Sequence, residues 1–431
     1  MKRFTRIDEI VIWRLCLGCG ACAAACPEQN ITIVDVPSLG LRPVVGSAKC
    51  RHCKKCVAVC SGIETSKGPC EVGAISELQK GWGDILEVWE GYAADPDIRY
   101  RASSGGVATA LSLFCLEKKQ MGGVLQTRAD SRVPWQNIAV LSTSRSDILA
   151  CTGSRYSPAA PCAGIDLTHN APASCVFVGK PCDVVAVRKL ESQDPQITAK
   201  IALTISIFCA GTPSSQGSKA IVTVLGIEEE RVAEMRYRGF GWPGETKLRL
   251  RGSNTDGPEM SYEESWGGIL SKHVQFRCRL CPDSTGEMSD ISCGDAWYKD
   301  VSRCQPGYSL VLARTERGRQ ILQEAVELGY LVLHRSKLMA LALSQQSLLD
   351  KKQNIWGRLV AMRMLGVPYP RFNGFHLFSN WCDLPVRGKA RSLLGTAYRI
   401  FTRRWRKPLD LKHDDFATSE GWQPSSAGIH R

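Results

Sequence analysis

Two short runs of cysteine dominate the chemistry open to this chain of 431 residues. Cys16, Cys19, Cys22 and Cys26 are followed by Pro27, and Cys50, Cys53, Cys56 and Cys60 repeat the spacing. A C-x2-C-x2-C-x3-C run lets three thiolates cap one iron–sulfur cubane while the fourth, across a helical turn, reaches a second. By that rule Cys16, Cys19, Cys22 and Cys60 hold one 4Fe-4S cluster, and Cys50, Cys53, Cys56 and Cys26 hold the other. Zinc would favour two separated CxxC pairs over triple runs. Ser61 stands after Cys60 where a proline is usual, and Cys70 ends a GPC turn, so Cys70 competes as the remote ligand of the first cluster. Lys49, Arg51, Lys54 and Lys55 crowd the second run. Their charge either stabilises a reduced cluster and docks an acidic electron donor, or belongs to a solvated basic loop. Two clusters about 10 to 12 Å apart, as in ferredoxin-like packing, make a relay for single electrons.

A relay needs a second end, and three other stretches offer one. Cys182 in GKPCDVVAV and Cys209 in FCAGTPS each fall where an apolar strand is expected to end, and RCRLCPD supplies the pair Cys278 and Cys281. One cysteine at a strand end is ordinarily a small buried hydrophobe. Four together equal the ligand count of a cluster, so these are candidates for a third 4Fe-4S site. Ser103, Ser104, Gly105 and Gly106 precede a helical run from Val107 to Glu117. Free N–H groups and hydroxyls there would face an anion at a helix start, although a turn that merely caps its helix is the commoner use of such residues. Neither the Walker lysine pattern nor GxGxxG spacing accompanies it. In SDISCGDAW, Asp290, Asp295 and Trp297 either contact a cofactor or close a turn.

The elements that must position these groups are α/β. After about residue 85, apolar runs such as ASCVFVG and IALTISIF alternate with helical patterns, and short strands end in Gly, Pro, Ser or Cys before a helix begins. Ligands collect at such strand ends. The expected organisation is a ferredoxin-like domain over 1–85, an α/β core in two parts over 86–175 and 176–340, and a mostly helical basic extension over 341–431 that ends in a disordered tail. The fold class is thus mixed, α+β joined to α/β. With 44% hydrophobic and 23% charged residues the composition is that of a soluble protein. The start of the chain lacks an apolar stretch of signal-peptide length, and IALTISIFCAG is about half of what spans a bilayer. A cytoplasmic location is expected, where 20 cysteines point to metal ligation before disulfides.

The net charge of +13 is uneven: residues 387–407 hold eight Lys or Arg and no acid, leaving +5 (13 minus 8) elsewhere. No nucleic-acid partner follows from such a total. Leu393, Leu394, Ala397, Tyr398, Phe401 and Trp405 fall at helical spacing among Arg391, Arg399, Arg403, Arg404 and Arg406. Residues 388–407 therefore read as a basic amphipathic helix, either docked on the protein's own core or lying peripherally on an anionic membrane.

Taken in order, SSGGVATAL, GKPC, FCAGTPS, YRGFGWPG, CRLCPD and DISCGDAW resemble the coenzyme F420 hydrogenase/dehydrogenase beta-subunit family, here preceded by a two-cluster ferredoxin domain. The resemblance covers about residues 10 to 340 and extends to 7-hydroxymethyl chlorophyll a reductase. It implies FAD in the α/β core beside the clusters, with contacts carried onto Ser103, Ser104, Gly105 and Gly106, and further onto Thr109, Lys180 and Asp295. It implies an oxidoreductase that moves electrons between ferredoxin-type clusters and FAD and passes hydride to or from a small organic acceptor such as a deazaflavin coenzyme. The fused ferredoxin domain suggests reduced ferredoxin as donor, or a partner dehydrogenase. The alternative implied by the same family is an electron-transfer subunit of a hydrogenase or dehydrogenase complex without a substrate of its own. No nucleophilic triad is present to suggest covalent catalysis.

Overall fold

The computed structural model describes residues 3–46, 50–253, 257–299 and 306–411. Each cysteine run winds into one turn of helix, Ala21–Ala24 and Lys55–Ala58, and each turn is started by a residue in the left-handed region, Gly20 and Lys54. Between the runs, β1 (Ile31–Val36) and β2 (Gly40–Val45) form an antiparallel hairpin with Ile31 opposite Val45. Ile31, Val34 and Val36 are the buried residues of β1, with Val34 and Val36 on one face of the strand and Ile31 on the other. Ile31 joins Ile7, Ile10 and Leu15 around Cys16, Cys22 and Cys60, so the first cysteine set sits in the unit's own hydrophobic core. Strand β3 (Glu64–Ser66) then leads out of the unit.

The core begins with β4 (Glu87–Ala93), β5 (Val124–Ala129), β6 (Asn137–Ser142), β7 (Cys175–Gly179) and β8 (Ile201–Ile207). Strands β9 (Val232–Arg236), β10 (Thr246–Leu250) and β11 (Glu259–Met260) form a separate small sheet. Strands β12 (Ile291–Asp295), β13 (Ser309–Ala313) and β14 (Leu331–Arg335) return to the main one. Its eight strands run β14-β4-β13-β12-β8-β7-β5-β6. The inner four, β12, β8, β7 and β5, are parallel, and antiparallel neighbours extend both sides. A strand covered on both faces is apolar throughout, which is why β7 reads as a continuous run. Val176 faces the helix Val107–Glu117 with Leu111 and Phe114, while Phe177 faces the helix Pro181–Glu191 with Val184 and Val187.

The C-terminal segment does not stand apart from these units. The helix Met339–Met364 is broken at Gln345 (φ −128°), and β15 (Arg371–Asn373) pairs in parallel with β3, Arg371 opposite Glu64. The helix expected over 388–407 runs from Val386 to Thr402. It docks on the chain itself through Ser392, Thr396 and Ile400, with Ile400 against Met362 and Leu280. Leu394 and Tyr398, each 69% exposed, and Phe401 point to solvent. The disordered tail expected at the C-terminus falls within 412–431, outside the described residues.

Candidate redox centre

Cys16, Cys19, Cys22 and Cys60 line one enclosed hollow together with Ile7, Ile33 and Gly62. Cys70 lies exposed and away from it, so of the two remote candidates the geometry offers Cys60. Burial pushes the Cys22 thiol well above its ordinary range and the Cys60 thiol up to about 12. Cys19 moves the other way, because the Cys162 thiol hydrogen-bonds to it. The Gly18 N–H donates to Cys16 Sγ at 3.3 Å, a contact that favours a thiolate ligand. The second set is more open: Cys50 and Cys53 are exposed, and Cys26 and Cys56 half-buried. Charge interactions tie Cys56 to Cys53, Cys26 and Cys50, the set expected from the spacing. Of the basic residues around it, Arg51 pairs with Glu28 at 3.0 Å, and Lys49 lies outside the described residues.

The strand-end cysteines also converge. Because β7 and β8 are parallel neighbours, Cys182 and Cys209 leave the sheet at the same edge, and the turn Phe276–Leu280 brings Cys278 and Cys281 to them. Their charges couple in pairs, Cys182 with Cys209 and Cys281, and Cys209 with Cys278 and Cys281. Burial raises the Cys209 thiol to about 12, and the Thr212 N–H donates to Cys278 Sγ at 3.4 Å. Among the described residues no three His, Cys, Asp or Glu side chains stand close enough to hold a single metal ion. A zinc site would draw four sulfurs to about 2.3 Å from one ion, whereas a cubane spreads its ligands around four irons.

Beside Cys209 opens a cavity of about 370 Å³ at the carboxyl ends of β7, β8 and β12. Ser103, Ser104, Gly106 and Thr109 line it, and so do Lys180 and Asp295. The first N–H groups of a helix have no acceptor within it, so the start of Val107–Glu117 offers donors to this space. Gly106, with φ at 78°, makes the turn into that helix. Gly105 differs from the expectation: its N–H donates to Ser309 Oγ at 3.0 Å, and a Cβ there would lie 2.5 Å from Gly91 O. It is a packing glycine against β4 and β13, not a cavity contact. Lys180 is held by Asp183 at 2.5 Å, which keeps its ammonium charged although burial opposes this.

Arg238 is the residue that the sequence did not single out. It is 2% exposed, forks onto both Asp295 oxygens at 2.7 and 3.0 Å, donates to Ser103 O, and reaches Tyr156 OH at 3.2 Å. Trp242 Nε1 takes a further bond to Asp295 at 2.9 Å, so the Asp295 carboxylate anchors the wall more than it offers itself to a ligand. Trp297 stacks between Trp242 and Tyr262, with centroids 5.3 Å away on either side. Ser344 and Gln345 bond the Asp295 carbonyl at 2.7 and 2.8 Å, which accounts for the break in their helix, and both line the cavity. The extension thus completes a wall of the core.

The family described as coenzyme F420 hydrogenase/dehydrogenase, beta subunit, matches this chain in both its parts, the N-terminal part over residues 88–165 and the C-terminal part over 173–337. A 4Fe-4S dicluster domain matches residues 15–62. The chain belongs to the coenzyme F420 hydrogenase/dehydrogenase beta-subunit family. Similar members of the family include the coenzyme F420 hydrogenase subunit beta of Methanococcus voltae, 28% identical over 64% of this chain and 95% of that protein. An uncharacterised protein of Methanocaldococcus jannaschii is 26% identical over 77% of this chain and 92% of its own. The coenzyme F420-dependent sulfite reductase of the same organism is 23% identical over 75% of this chain but only 48% of its length. A chain of the F420-reducing NiFe hydrogenase complex from Methanosarcina barkeri, solved as a xenon derivative, shares the fold with a TM-score of 0.53 at 22% identity, over 68% of this chain and 97% of that one. These relatives are named as F420-dependent oxidoreductases or their subunits, this chain adds a 4Fe-4S dicluster domain match, and no described helix here is long and apolar enough to cross a membrane.

Proposed function

We propose that this beta-subunit-family chain is an iron–sulfur flavoprotein oxidoreductase with an organic acceptor of the deazaflavin type. The observation that carries the reading is the adjacency of Cys209, from a converging four-cysteine set, to a cavity walled by a Ser-Gly helix start and aromatic rings. Ser103, Ser104, Gly106, Thr109 and Lys180 are the residues that would hold FAD, with polar donors for its phosphates, while Tyr262, Trp266 and Trp297 offer flat apolar surface. Bound there, FAD supplies the exchange between single electrons and hydride. Arg238 holds the wall in place by tying Ser103 to Asp295, and of the three cysteine sets only the one with Cys50 and Cys53 has exposed members, the other two being buried or half-buried. An outer set at the surface suits an external donor, reduced ferredoxin or a partner dehydrogenase.

Anaerobic purification with iron, sulfide and flavin quantitation on one sample tests this. About twelve irons and one FAD per chain is the expected result. About eight irons would return Cys182, Cys209, Cys278 and Cys281 to the role of core residues, and absence of FAD after reconstitution would overturn the flavin reading. A second reading, an electron-transfer subunit without its own substrate, is favoured by relatives that are named as subunits of larger enzymes. Reduction of a deazaflavin by the purified chain with a chemical reductant would decide for the first; activity only with a co-purifying partner would decide for the second.

A further inference from the structure

Two arginines lie between the inner ferredoxin-type cysteine set and the set in the core. Arg277 is 2% exposed and Arg42 3%. Arg277 Nε donates to Gly62 O at 2.7 Å and Nη2 to Ser61 O at 3.4 Å, and both acceptors line the hollow that Cys60 faces. On its other side Arg277 precedes Cys278 in sequence, and its charge acts on Cys281, Cys278, Cys182 and Cys60, members of both sets. Arg42 arrives from β2, donating to Leu41 O at 2.6 Å and Gln275 Oε1 at 3.0 Å, and its charge acts on Cys16 and Cys278. Arg277 Nη1 and Arg42 Nε are buried with no acceptor among the described residues. Neither guanidinium forms an ion pair with a carboxylate among those residues, although Asp35 acts on Arg42 from farther away. Every other fully buried arginine of comparable size in this region has a use that is plain: Arg238 forks onto Asp295, and Arg314 fills its donors with Ser292, Trp82, Asp84 and Thr285.

A buried guanidinium without a counter-ion is strongly disfavoured, and the Phe372 ring, 4.9 Å from Arg277, offsets only part of its charge, so a nearby anion would stabilise it. The anions at hand are the thiolates of two cubanes, each of which takes on a further negative charge when reduced. We propose that Arg277, supported by Arg42, is the shared counter-charge of the inner and core clusters: it raises both reduction potentials and screens the reduced form of one cluster from the other. The step is a one-electron gain with no bond made or broken and no proton moved. This rests on the cluster assignment given under the proposed function. A guanidinium that only ties the Ser61–Gly62 loop by hydrogen bonds would place no charge requirement on residue 277, and that is the difference to be measured.

The experiment is an EPR-monitored titration of the full, reconstituted chain with dithionite, in wild type, Arg277→Gln and Arg277→Lys. Gln keeps donors and loses charge; Lys keeps charge and loses the fork. Arg277→Gln should make reduction of both the inner and the core cluster tenfold less favourable, about 59 mV for one electron, while Arg277→Lys stays within threefold of wild type. Wild-type titration by Arg277→Gln, or an equal shift in both variants, would overturn the proposal. If Arg277→Gln fails to hold iron, Arg42→Gln is read by the same criterion, a downward shift supporting and an unchanged curve refuting. Wild-type protein with only about eight irons would remove the core cluster and this proposal together, whereas about twelve irons with no shift would remove the proposal alone.

Discussion

Cys209 is where the cysteine sets and the cavity meet, and its neighbours carry the sharpest consequences. Replacing Cys278 and Cys281 by alanine should lower the iron content from about twelve per chain to about eight without emptying the ferredoxin-type unit, a loss read by iron and sulfide assay. The buried thiols also make the cluster-free protein sensitive to base. Cys60 and Cys209 are pushed up from 9.0 to about 12 by burial. The unfolded chain gives up these protons near the lower value and the folded chain near the higher one, so the stability they contribute is full below the lower value and lost as pH rises towards the higher. Urea unfolding of the cluster-free protein should therefore show a lower midpoint at about pH 10.5 than at about pH 8. On the cavity wall, Asp295→Asn would leave Arg238 buried with its charge uncompensated. A cost of about 3 to 5 kcal/mol is expected, seen as a lower unfolding midpoint together with loss of bound flavin, since Arg238 also holds Ser103.

At the scale of elements, the helix Val386–Thr402 has committed Ser392, Thr396 and Ile400 to the chain and turned Leu394, Tyr398 and Phe401 outward among arginines. If that face meets an anionic bilayer, co-sedimentation with vesicles containing phosphatidylserine should be lost in Leu394→Asp/Phe401→Asp, while the iron content stays the same; unchanged sedimentation would remove the membrane contact. Elements that answer to local sequence were legible in advance. The helix Val107–Glu117 follows its Ser-Gly turn as the apolar run required, and the cysteines of GKPC and FCAGTPS lie just beyond strand ends because parallel neighbours finish at one edge. What stayed hidden depends on partners distant in sequence. The break at Gln345 comes where Gln345 bonds the distant Asp295 carbonyl, and nothing near Arg238 in the chain announces Asp295 as its partner. Gly105 looked like a ligand glycine from its neighbours, but its surroundings come from β4 and β13. The pairing of β3 with β15 joins two three-residue stretches too short to carry a pattern.

Across the whole molecule, one buried carboxylate links three parts of the chain. Glu287 of the core binds Lys67, which follows β3, at 3.1 Å and Lys352 of the helix Met339–Met364 at 2.6 Å. Although burial opposes ionisation, the two ammonium groups hold the Glu287 carboxyl below its ordinary value. Glu287→Gln would leave Lys352 buried without its carboxylate and Lys67 with only Asp84 at 3.9 Å, and should destabilise the protein by about 3 to 5 kcal/mol. Limited proteolysis should then release the N-terminal unit first, before the core is cut. Together with the β3–β15 pairing, this clamp bears on how fast electrons move. A carrier on a flexible tether must swing between donor and acceptor, and its rate falls as the solvent thickens. Here the N-terminal unit is fixed at both its exit strand and the lysine beside it. The internal hop should therefore keep its rate in glycerol, leaving only the encounter with an outside donor to slow down.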